Sequence, residues 1–77
     1  MPDVHPWRLS PRELQAVRLL IPYAGSQKEI ARDMKISVKC VESHLMNARR
    51  KAGVRNTFML AIEFDRLMRP TVMRHKL

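Results

Sequence analysis

The chain has 77 residues, one cysteine and a formal net charge of +8, enough for one small core but not for an internal disulfide or a second domain. Fifteen Lys and Arg stand against seven Asp and Glu, an excess that favours a polyanionic partner, most often nucleic acid. An apolar fraction of 45% argues against disorder, and no apolar run approaches the ~20 residues of a membrane span.

Residues 1–8 read as a short arm with two prolines and no signal-peptide pattern; with the lone Cys40, this gives a cytoplasmic expectation. Leu9-Ser-Pro-Arg-Glu13 predicts a helix start, with Ser10 as N-cap, Pro11 in the first helical position and Glu13 closing a capping box. Leu9 and Leu14 are placed for a hydrophobic staple. Leu14, Val17, Leu20 and Ile21 follow helical spacing, so the first helix is expected to run to about Ile21, where Pro22 stops it. Ser26-Gln-Lys-Glu29 predicts a second capping box and a short helix to about Met34, with Ile30, Ala31 and Met34 inward. Lys35-Ile36 makes a turn. Ser37 then caps a third helix that reaches Ala52 and stops at Gly53. A fourth helix starts at Asn56 or Thr57 and lasts to about Arg69, before Pro70 and a basic tail over 70–77. The fold class is therefore all-α, four helices, with the folded unit spanning 9–69.

A short capped helix, a tight turn and a longer amphipathic helix form the pattern of a helix-turn-helix. On the third helix, Val41, Leu45, Ala48 and Ala52 make one narrow core stripe. Lys39, Ser43, Met46 and Arg50 lie opposite, flanked by Glu42 and Asn47. That set suits base edges: Asn pairs with adenine, Lys and Arg with guanine, Glu accepts from cytosine, and Met touches a thymine methyl. The base-facing candidates are Lys39, Glu42, Ser43, Met46 and Asn47. An ordinary solvated face is the plain alternative, outweighed by the short capped helix before it and by the basic charge.

Gln27 and Lys28 open the second helix, where free N–H groups and the dipole attract phosphate. Arg49, Arg50, Lys51 and Arg55 cluster past the core of the third. With Ser26, these residues form the expected phosphate-contacting set. Eight of the fifteen basic residues lie from Arg49 onward, against two acids, Glu63 and Asp65.

Leu9-Ser-Pro-Arg-Glu13, Lys28-Glu-Ile-Ala31, Ile36-Ser37, Val41-Glu-Ser-His-Leu45 and Arg50-Lys-Ala-Gly-Val54 together resemble the LuxR-type (GerE-like) DNA-binding domain over roughly residues 9–67. The resemblance implies a four-helix fold, sequence-specific binding to promoter DNA and dimers joined through the fourth helix. By position it implies base reading at Glu42, Ser43, Met46 and Asn47. It places backbone contacts near Ser26, Gln27, Lys28, Lys39, Arg50 and Lys51. Lys35 stands where the family usually has Gly, which predicts backbone strain. Cys40 replaces a common Thr, and Ala52 a common Leu. Only a short arm precedes the domain, where relatives carry a receiver or autoinducer-binding domain, so a stand-alone regulator is expected.

The fourth helix holds more apolar surface than one core stripe needs, and Met59, Ile62 and Met68 are the expected contacts of a homodimer. Cys40 and His44, four apart, lack the further ligands of a metal site, and no nucleophile triad or phosphate loop is present. No cofactor, metal or enzyme activity is expected. Cys40 is expected buried or half-buried, His44 is assigned to packing, and Trp7 to a lid on the first helix. Two rival readings remain: a protein-interaction module that pairs with and inhibits a full-length LuxR-type regulator, and a sigma region-four-like protein that binds RNA polymerase.

Overall fold

The computed structural model describes residues 7–68, which form four helices: α1 (Pro11–Arg18), α2 (Gln27–Met34), α3 (Val38–Ala52) and α4 (Thr57–Met68). The arm expected over residues 1–6, the expected helix end at Arg69 and the basic tail over 70–77 lie outside the described residues. Among the described residues there is no strand.

Each helix begins where its sequence supplies an acceptor for otherwise unused N–H groups. The Glu13 N–H donates to Ser10 Oγ at 3.2 Å, and the Ser10 N–H donates to Glu13 Oε1 at 3.0 Å, which closes the expected box. Ser37 Oγ accepts from the Cys40 N–H at 3.1 Å, and Asn56 Oδ1 from the Met59 N–H at 2.8 Å. At Ser26 only half of the expected box forms. Its hydroxyl accepts from the Glu29 N–H, but its own N–H already donates to the Tyr23 carbonyl at 2.9 Å. The Glu29 carboxylate turns instead to Arg32, 3.8 Å away.

The first helix ends three residues earlier than its apolar spacing suggests. Pro22 has no N–H to give the Arg18 carbonyl and its ring crowds that oxygen, so the ladder stops at Arg18. The chain continues as overlapping turns, with Tyr23 N–H on the Leu19 carbonyl and Gly25 N–H on the Leu20 carbonyl. Ile21 is consequently left exposed and outside the core. Between α2 and α3, Lys35 takes φ 58°, the left-handed conformation that Gly adopts without a Cβ penalty. Gly53, at φ 73°, ends α3 the same way without that cost.

α3 is the central element and packs on α1, α2 and α4. Its stripe of Val41, Leu45 and Ala48 is fully buried, and it meets Ala16 and Val17 of α1, Ile30, Ala31 and Met34 of α2, and Leu60 of α4. Burying one face so completely fixes which face of α3 looks outward. Trp7 packs against the core and meets α4: its ring centroid is 6.1 Å from that of Phe64, tilted 46°. Arg8, at φ 57°, turns the chain there between Trp7 and the buried Leu9.

Candidate nucleic-acid interface

The side of α3 opposite its buried stripe carries Lys39, Ser43, Met46 and Arg50, all exposed, with Glu42 exposed on one flank. Met46 shows 48% of its surface, a large apolar side chain left half in water. Asn47 is half-buried. Its Oδ1 accepts weakly from Arg50 Nη1 at 3.4 Å, so the amide and the guanidinium are neighbours on the outer surface. The exposed Lys28 and half-buried Gln27 and Ser26 stand at the start of α2, where a helix presents N–H groups its own ladder does not use. Arg55 is exposed beyond the end of α3.

The basic cluster at the end of α3 is divided by the helix geometry. At about 100° per residue, three consecutive side chains leave in three directions. Arg50 points outward. Arg49 is half-buried, and its Nε is shielded without a hydrogen-bond partner. Lys51 turns toward α1, where its Nζ is 2.7 Å from Glu13 Oε1 and 3.5 Å from the Arg8 carbonyl. Sequence spacing missed this ion pair, because 38 positions separate its members.

The Glu13 carboxyl is nearly buried, which alone would raise its pKa. The hydrogen bond from Lys51, the Ser10 N–H and the attraction of the ammonium outweigh burial and hold it below its ordinary value of 4.5. Tyr23 moves the other way. Its hydroxyl donates to Asp33 Oδ2 at 2.6 Å, and that bond raises the phenol above its ordinary range.

The family model of GerE, bacterial regulatory proteins of the luxR family, matches residues 8–64, which include all four helix starts and the whole of α3. The chain belongs to the LuxR family. Its helix-turn-helix, α2 and α3, is the DNA-binding element of a transcription regulator. Neither the curated proteins nor the solved structures give a match.

Cys40 is exposed on this LuxR-family domain, contrary to the buried or half-buried thiol expected. It lies on the flank of α3, outside the stripe that the other helices cover. His44, one turn on, is half-buried. Among the described residues no cluster of three or more His, Cys, Asp or Glu is placed to hold a metal, and no helix is long and apolar enough to cross a membrane.

On α4, Leu60 is buried while Phe58, Met59, Ile62, Leu67 and Met68 are exposed, so the expected apolar surplus does lie at the surface. The three residues expected at a dimer contact do not share one face, however. Met59 and Met68 are about two and a half turns apart at ~3.6 residues per turn and point to opposite sides. Met59 lies beside Gly53 and Val54, and Met68 beside Val17 and Pro22. Ile62 instead adjoins Phe58, Ile21 and Ala24 in an open apolar groove.

Proposed function

We propose that this LuxR-family chain recognises specific promoter sequences by laying the outer face of α3 in the major groove, as a homodimer. Lys39, Glu42, Ser43, Met46 and Asn47 face the bases. Ser26, Gln27, Lys28, Arg50 and Arg55 hold phosphates, with Arg49 at the edge of that set. The observation that carries the reading is the outer face itself: donors, acceptors and an exposed Met46 stand opposite a completely buried stripe, on a chain of charge +8. On one side of α4 the exposed Met59 and Ile62, or on the other Met68, supply candidate dimer surface. Since a single helix pair buries little area, DNA would bring the two copies together.

Selection from random duplex DNA, followed by gel-shift titration, tests this reading. Enrichment of paired half-sites about one helical turn apart supports it. Equal affinity for unrelated sequences refutes it.

The same apolar surface on α4 favours a second reading, pairing with a different LuxR-type regulator. A mixed complex in sedimentation, formed at the expense of self-association, is the result that would select it.

A further inference from the structure

We propose that Glu13 is a positioning residue for DNA recognition, holding the C-terminal end of α3 in place through Lys51. The inference rests on the reading of α3 as the DNA-facing helix. Glu13 is the one charged side chain buried among the described residues, at 7% exposure. Its Oε1 accepts from the Ser10 N–H at the start of α1 and from Lys51 Nζ in the last turn of α3. The same ammonium reaches the Arg8 carbonyl. One carboxylate thus joins the N-terminus of α1 to the end of the helix that carries Arg50.

A desolvated carboxylate is costly to leave unpaired, so a phosphate outside competes poorly for Lys51. The pair is neutral as a unit and adds little to counterion release. Its effect falls on the adjacent residue. Helix ends fray, and pinning Lys51 fixes the direction in which Arg50, and with it Asn47, leaves the surface. A side chain ordered before binding spares its ordering cost at binding, worth about two- to tenfold in affinity.

The test uses Glu13→Gln and Lys51→Gln, singly and together, with Lys51→Arg and Arg50→Ala as references. DNA affinity is titrated across salt concentrations, and folding is followed by circular dichroism. Each Gln variant should weaken binding about two- to tenfold without changing the slope of log affinity against log salt. The double variant should be no worse than the weaker single, and Lys51→Arg should restore binding. Without DNA, both Gln variants should speed amide exchange in the last turn of α3 more than in α2.

A Lys51→Gln slope as flat as that of Arg50→Ala would make Lys51 a phosphate contact and overturn the proposal. So would tighter binding by Glu13→Gln, which would make Glu13 a competitor of DNA, and so would additive losses in the double variant. If Glu13→Gln does not fold, Glu13→Asp, one methylene short of Lys51, takes its place with the same readings. If the wild type itself shows no salt-dependent binding, the DNA reading fails, while the exchange measurement still decides the anchor.

Discussion

Lys51 and Glu13, 38 positions apart, meet at 2.7 Å across the junction of α3 and α1. The contact has a pH signature. Because the folded Glu13 pKa lies below its ordinary value of 4.5, its stabilisation is present above that value and is lost as pH falls through the folded pKa. Thermal melts of the wild type should therefore lose stability below the usual glutamate range. Glu13→Gln should lose less across the same interval and be weaker near neutrality by about 1 kcal/mol, since the half-exposed Lys51 is screened by water. Parallel melting curves for both proteins down through acid would remove the assignment.

Lys35 stands in the left-handed conformation with a Cβ. Lys35→Gly should raise stability by roughly 0.5–1 kcal/mol, the relieved strain exceeding the entropy that Gly adds to the unfolded chain. Lys35→Ala should give no such gain. Chemical denaturation of the three proteins separates strain from loss of charge.

Asn47→Ala and Glu42→Ala should each relax base discrimination at one position of the half-site by about 1–3 kcal/mol. Base preference is read by selection with each variant. If both retain the wild-type preference, that face of α3 belongs to solvent or to a protein partner.

Arg50→Ala should weaken binding to all sequences and reduce the salt slope by about one phosphate. Affinity that does not change with salt, in wild type and variant alike, would argue against phosphate binding at this end of α3.

Ile62 and Met59 are neighbours one turn apart on α4 but border different parts of the surface, and give different expectations. If a second copy covers the groove beside Phe58 and Ile21, Ile62→Asp should reduce cooperative binding to paired sites more than binding to one half-site. Met59→Asp should then be the milder change. The reverse order would put the contact beside Gly53 and Val54.

The sequence by itself determined the four helices, the caps at Ser10, Ser26 and Ser37, the stop at Gly53 and the inward stripe of α3. These depend on neighbours a few positions apart, and helical periodicity and capping chemistry act over that range. It also determined the family, because the matched motifs run along the chain without long gaps. Only the tertiary structure decided that Lys51 meets Glu13 while Arg50 stays exposed, that Cys40 faces solvent, that Trp7 rests on Phe64, and which surfaces Met59 and Met68 border. Whether a side chain is covered, and by what, depends on which helices pack across it. Those contacts join positions tens of residues apart, which local spacing cannot rank.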